Sequence, residues 1–129
     1  MVINSSMTTN PRAAQACSES LPKRQHLLMG GKTKGLDFTP LRQYLEQSSH
    51  QVYVFGQNAV QLTADSLAVQ MPNFDRFASL EEAFSAATQN ARAGEAILLL
   101  PGCLSAFPFE NFRDRGDAFI RLAEEWLQS

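Results

Sequence analysis

Residues Ala96 to Leu100 read AILLL and are followed at once by Pro101-Gly102. Five apolar residues bounded by Gly94 and a Pro-Gly pair are too short for a helix and fit a strand. No polar residue alternates with the apolar ones, so the strand has no face to offer water. Such a strand is covered on both sides, which places it inside a sheet with helices packed on each face. Two further runs repeat the device. His26 to Met29 (HLLM) stops at Gly30-Gly31, and Gln51 to Phe55 (QVYVF), β-branched and aromatic, stops at Gly56.

Helix signals fill the gaps. Asn10-Pro11 has helix-start chemistry, and PRAAQACSES continues it to about Ser20, before Pro22. Thr39-Pro40 opens a second helix running to about Gln47, with Leu41, Tyr44 and Leu45 on one face. A helix over about Asn58 to Ser66 and a weak strand over Ala68 to Met71 are expected next. Ser79-Leu80-Glu81-Glu82 is a capping box whose helix runs to about Arg92, closed by Gly94 in the left-handed conformation. From Asn111, the spacing Phe112, Gly116, Phe119, Ile120, Ala123, Trp126, Leu127 gives a last helix with one apolar stripe. Residues 1 to 10 are polar and aperiodic and read as a frayed lead-in.

Strands alternating with helices predict a single α/β domain over residues 1 to 129. It should be a Rossmann-like three-layer sandwich with a mostly parallel sheet, helices on both faces and right-handed crossovers. In open sheets of this kind ligands bind at the carboxyl ends of strands. That edge gathers the loops Gly31 to Asp37, Gly56, and Pro101 to Phe109.

A net charge of -2 with 19% charged residues gives no electrostatic reason to expect nucleic acid. No apolar run approaches the roughly 20 residues of a membrane span, and no basic-then-apolar leader is seen, so a cytoplasmic protein without a membrane partner is expected. Cys17 and Cys103 are too few for a disulfide framework and lack zinc-like spacing to other ligands; both read as buried thiols.

Few residues propose chemistry by type and spacing. Gly31-Lys32-Thr33 imitates the tail of a phosphate-binding P-loop, but the first glycine of that loop would fall on His26, and the helix begins late, at Pro40. Lys32 and Lys34, at a strand end, suit a carboxylate or phosphate, or simply solvent. Ser105 has no activating base at suggestive spacing. His26 and His50 stand at the amino ends of strands, away from the ligand edge, and read as structural. The acids Glu81, Glu82, Glu110, Asp114, Asp117, Glu124 and Glu125 read as solvated helix surface, and Trp126 as core.

Two longer strings carry more. MGGKTKGLDFTPL and, some seventy residues later, LLLPGCLSAFPFENFRDRGDAF resemble the carboxyl-terminal domain of the Mur ligases, those that add D-glutamate to UDP-N-acetylmuramoyl-L-alanine. The family's Gly-Gly-x-x-Lys-x-x-Asp-Phe-x-Pro-Leu is met by Gly30, Gly31, Lys34, Asp37, Phe38, Pro40 and Leu41. Its second motif is met by Leu99, Pro101, Cys103, Ser105, Phe109, Asn111, Phe112, Arg115 and Gly116.

The resemblance implies a domain that brings D-glutamate, or a similar dicarboxylate, to an acyl phosphate formed on a separate central ATPase domain in peptidoglycan precursor synthesis. It implies substrate contacts from Thr9, Lys34, Ser105 and the backbone around Phe112. ATP and Mg²⁺ belong to the full family enzyme; none is expected on this chain alone, and no metal ligands are assigned. The departures are specific. The family's Asn-Asp-Ser-Lys-x-Thr-Asn has become Asn4-Ser5-Ser6-Met7-Thr8-Thr9-Asn10, losing the acid and the lysine that face the nucleotide. The family's Ser-x-Asp-Gln-Phe has become Ser105-Ala106-Phe107-Pro108-Phe109. Without the UDP-binding and ATPase domains the chain is expected to be incomplete as a ligase. The alternative is a degenerate, stand-alone relative that serves as a non-catalytic binding or interaction module.

Overall fold

The computed structural model describes residues 1–5, 7–30, 39–56, 74–100, 109 and 111–128. Its described elements are β1 (Val2–Asn4), α1 (Pro11–Glu19), β2 (Gln25–Met29), α2 (Thr39–Gln47), β3 (Gln51–Phe55), β4 (Phe74–Phe77), α3 (Leu80–Asn90), β5 (Ala96–Leu99) and α4 (Phe112–Gln128). The expected helix over 58–66 and strand over 68–71 lie outside the described residues.

The five strands form one sheet in the order β1-β5-β2-β3-β4, every described pairing parallel. The AILL strand lies between β1 and β2, as its unbroken apolarity requires. Side chains alternate across it: Ala96, Leu98 and Leu100 join Leu27, Met29, Val52 and Val54 on one face, under Ala14 of α1 and Leu41 and Leu45 of α2. Ile97 and Leu99 join Leu28, Tyr53 and Phe55 on the other, under Leu80, Ala83, Phe84 and Ala87 of α3 and Ala118, Phe119 and Ala123 of α4. The molecule is thus the three-layer α/β sandwich expected, with a core on each side of the sheet.

Capping follows the sequence. Asn10 Oδ1 accepts the Ala13 N–H at 2.9 Å, with Pro11 at the first helical position. Ser79 Oγ accepts from Glu82 N–H, while the Glu82 carboxylate reaches back to Ala78 N–H. Gly94 has φ +87°, a conformation side chains rarely tolerate, but it does not close α3 as expected: the helix ends at Asn90 with Ala91 as an extended C-cap, and Gly94 lies in the turn before β5.

Three further expectations change. The lead-in is not frayed: Val2, Ile3 and Asn4 pair with Ile97, Leu98 and Leu99 and close one edge of the sheet. Three residues show no periodicity; the strand forms because β5 has a second edge to satisfy. A strand Phe74–Phe77, which propensity did not announce, pairs with β3 and closes the other edge. The stripe on α4 is narrower than read: Gly116, Phe119 and Ala123 are buried, but Leu127 is exposed and Trp126 is 38% exposed. Trp126 lies at the rim, edge-on to Phe84 with centroids 6.1 Å apart.

Candidate functional site

Strand order fixes where a ligand can enter. The helices after β1 and β2 pack on one face of the sheet and the helix after β5 on the other, so the connections diverge at the carboxyl ends of β2 and β5. That divergence is a topological switch point, where the backbone opens a crevice. Leu100 N–H bonds to Leu28 O at 2.9 Å, holding the two strands together to the lip.

Three segments border this crevice. The first follows β1: Ser5 N–H bonds to Leu99 O at 2.9 Å, and Thr8 Oγ1 donates to Ser5 O at 2.6 Å. Thr9 N–H bonds to Met7 O at 2.9 Å, so the backbone turns tightly into the Asn10 cap. Thr9 is half-buried, and its hydroxyl has no partner among the described residues.

The second segment begins at Gly30. A Cβ there would overlap the Phe55 carbonyl oxygen and sit 3.2 Å from the Phe55 ring. Glycine is required there by the close approach of the Phe55 backbone rather than by a left-handed turn. Its neighbour Gly31 and the candidate Lys34 lie outside the described residues, as do Lys32, Thr33 and the expected loop to Asp37.

The third segment leads into α4. Asn111 Oδ1 caps the helix by accepting Asp114 N–H at 2.8 Å. Phe112 stands at the first helical position, 37% exposed. Asn111, Phe112 and Arg113 line a pocket of about 270 Å³. Backbone N–H groups of a first helical turn lack intrahelical acceptors and favour anions. Ser105 and Cys103 lie outside the described residues. Of the four candidates, Thr9 and Phe112 stand at the carboxyl edge on separate segments, and Lys34 and Ser105 lie outside the described residues.

Arg115 was legible only as a motif match. Its side chain is 1% exposed, and Nη1 donates to Gly30 O at 3.0 Å across 85 residues of sequence. Hydrophobic periodicity treats such an arginine as solvent-facing, so only the motif could have found it.

The positions at which the resemblance implies nucleotide-facing charges do not fit a nucleotide and its metal. Ser5 Oγ lies 3.2 Å from Cys17 Sγ, and Met7 presents a thioether that is 75% exposed. Neither supplies a carboxylate for a cation or a charge for phosphate. Among the described residues, no three His, Cys, Asp or Glu side chains gather into a metal cradle. Cys17 is half-buried rather than fully buried, because it borders that turn.

The opposite edge carries two polar networks, which give the histidines the structural role expected of them. Gln25 N–H donates to His50 Nδ1 at 3.0 Å, so in the neutral ring the proton is on Nε2, facing Tyr44 OH at 3.2 Å. Tyr44 OH lies 2.7 Å from Ser18 Oγ, which donates to Gln25 Oε1 at 2.7 Å and closes the circuit. Burial, helped by Arg24 and His26, pushes the His50 pKa down.

On the other face His26 Nε2 meets Glu95 Oε1 at 2.7 Å, and Nδ1 meets Tyr53 OH at 2.8 Å, itself a target of Asn90. The hydrogen bond from His26, with those of Arg92 N–H and Arg24, brings the Glu95 carboxyl down to about 2. Arg24, Gln51, Asn90, Arg92 and Glu95 line an open groove there of about 510 Å³. Its carboxylate is already engaged by these three donors.

The family comparisons agree with this geometry. A family model described as "Mur ligase, glutamate ligase domain" matches residues 1–103. The UDP-N-acetylmuramoylalanine--D-glutamate ligase of Pasteurella multocida (strain Pm70) is 39% identical over 124 residues, covering 95% of this chain and 27% of that protein. The corresponding ligase of Shigella dysenteriae serotype 1 is 36% identical over 125 residues, covering 95% and 28%. The chain thus spans just over a quarter of the length of these curated relatives. Among solved structures, E. coli FolC in complex with ADP, without folate substrate, superposes with a TM-score of 0.59 at 19% identity, covering 95% of this chain and 28% of that one. The bifunctional folylpolyglutamate synthase/dihydrofolate synthase of Yersinia pestis gives 0.59 at 17% identity, covering 89% and 27%. At those identities the likeness is one of fold. Sequence match and switch-point geometry together place the chain in the Mur ligase family, as a carboxyl-terminal, glutamate ligase domain.

Proposed function

We propose that this chain is the domain that presents D-glutamate in an ATP-dependent Mur-type amide-bond ligase of cytoplasmic peptidoglycan precursor synthesis. On this reading it works only beside a central ATPase domain that binds ATP and Mg²⁺. The observation that carries it is that β1, β5 and β2 lie side by side and end at the same carboxyl edge, each followed in the sequence by one of the motif matches. A dicarboxylate needs one charge-assisted donor and several neutral ones at fixed positions. Lys34 supplies the first. The hydroxyl of Thr9, the hydroxyl of Ser105 and the amide of Phe112 at the positive end of α4 supply the others. With both carboxylates held, the amino group is free to attack the acyl phosphate. The new amide bond forms as inorganic phosphate leaves and the free amine gives up one proton, keeping the other as the amide N–H.

Calorimetric titration of the chain with D-glutamate, and mixing with purified UDP-binding and ATPase domains, test the proposal. Heat of binding and amide formation on mixing are expected; neither appearing would sink it. Lys34→Ala should abolish the heat and change stability by no more than a surface substitution does, about 0.5 kcal/mol. The neutral Ser5 and Met7 favour a second reading, a module that binds without turnover. It would give the heat of binding but no amide with any partner domain.

A further inference from the structure

The fourth residue of α4 breaks two rules at once. A guanidinium is costly to bury, and a cation near the amino end of a helix is disfavoured by the helix dipole. Arg115 is nonetheless 1% exposed there. Departures of that kind are retained where function needs them. Its Nη1 donates to the carbonyl of Gly30, the last residue before the segment that carries Lys34. Gly30 is in turn pressed against the Phe55 carbonyl so closely that no Cβ fits. The end of β2 is therefore fixed from two sides, by β3 through backbone contact and by α4 through a charge-assisted hydrogen bond.

We propose that Arg115 is a positioning residue for dicarboxylate binding. It couples the end of β2 to the Phe112 turn and adds a buried positive charge beneath the carboxyl edge. In a low-dielectric wall that charge is weakly screened, so it reinforces the positive potential of the α4 amino end toward an anion. The pin fixes the spacing between the end of β2, from which the chain leads on to Lys34, and the first turn of α4. This inference rests on the glutamate-presenting reading.

Arg115→Met removes fork and charge at similar volume, Arg115→Lys keeps the charge and loses the fork, and Ser18→Ala perturbs the opposite edge as a stability control. Each full chain is titrated with D-glutamate below its melting temperature and followed by hydrogen exchange. Affinity should fall at least tenfold in Arg115→Met, recover in part in Arg115→Lys, and stay unchanged in Ser18→Ala. Exchange should quicken in peptides covering the end of β2 and the first turn of α4, but not in β3. Wild-type affinity in Arg115→Met, or an equal loss in Ser18→Ala, overturns the proposal. If Arg115→Met does not fold, Arg115→Lys decides: unchanged affinity together with unchanged exchange is fatal. If the unaltered chain binds no D-glutamate, the presenting reading fails by itself. The pin is then judged by exchange alone, and unaltered exchange in both variants refutes it.

Discussion

Ser18→Ala tests whether the circuit at the amino edge is a closed one. Ser18 and Gln25 are both fully buried, and the serine hydroxyl donates to Gln25 Oε1 at 2.7 Å while facing Tyr44 OH at 2.7 Å. Removing Oγ deletes the donor to a buried amide oxygen that no water can reach. An orphaned buried acceptor costs about 1–3 kcal/mol. Tyr44 keeps His50 as a neighbour and is only half-buried, so its loss is small. Against this, Ser18 lies in α1, where alanine is the better helix former by at most about 0.7 kcal/mol. The net expectation is a loss of about 1.5 kcal/mol, or roughly 5 °C in melting temperature for a domain of this size. Urea denaturation at pH 7.5 with an unchanged m-value reads it directly. The circuit also demands that Ser18→Ala and Tyr44→Phe be non-additive, since both break one loop of bonds. A loss under 0.5 kcal/mol, or strict additivity, would show that these contacts are incidental.

Acidification should weaken the fold in two stages. His50 is held below its ordinary pKa of 6.5, so the unfolded chain takes up its proton first and stability drops as pH falls below about 6.5. Glu95, ordinarily near 4.5 and here about 2, contributes stability that is present above 4.5 and lost as pH falls from there toward 2. Denaturation curves from pH 8 to 3 should show both stages, and His50→Gln should erase the upper one alone. Gly30→Ala should destabilise strongly, because its Cβ has no room beside the Phe55 carbonyl; a melting temperature within 1–2 °C of wild type would contradict the close approach. Phe119→Ala empties a fully buried site that packs edge-on to Phe84 at 5.7 Å. About 3–5 kcal/mol should be lost, checked by the same urea titration.

How much of this was readable beforehand divides along physical lines. The strands HLLM, QVYVF and AILL and the capped helices were legible because each carries its own evidence, in a period, a cap or a stop. Val2–Asn4 and Phe74–Phe77 were not, because an edge strand of three or four residues is decided by the partner it completes rather than by its own residues. Both complete a neighbour: Val2–Asn4 pairs with β5 and Phe74–Phe77 with β3. Asn10 and Ser79 stand where their chemistry said they would, while Gly94, left-handed as expected, turns the chain before β5 rather than closing α3, which ends at Asn90 with an extended Ala91 cap. Trp126 does not, since a helix longer than the core it covers leaves its last turn at the rim.

The site obeys the same division with a further turn. Type and spacing could point to a carboxyl-edge loop and no further, because Thr9, Gly30 and Arg115 each look ordinary in isolation: a threonine in a polar stretch, a glycine in a turn, an arginine on a helix. What distinguishes them is long-range. Thr9 matters because β1 brings its turn beside the end of β5, and Gly30 because β3 crowds it. Arg115 matters because α4 carries its charge back across 85 residues to the end of β2. The amino edge, closed by the Gln25 and His26 networks, holds the strands in register. A sheet anchored firmly at one edge can leave its other edge to residues chosen for what they grip. Ser5 and Met7, uncharged, take no part in the hydrogen bond that fixes Gly30 to α4, so substitutions there leave that pin in place.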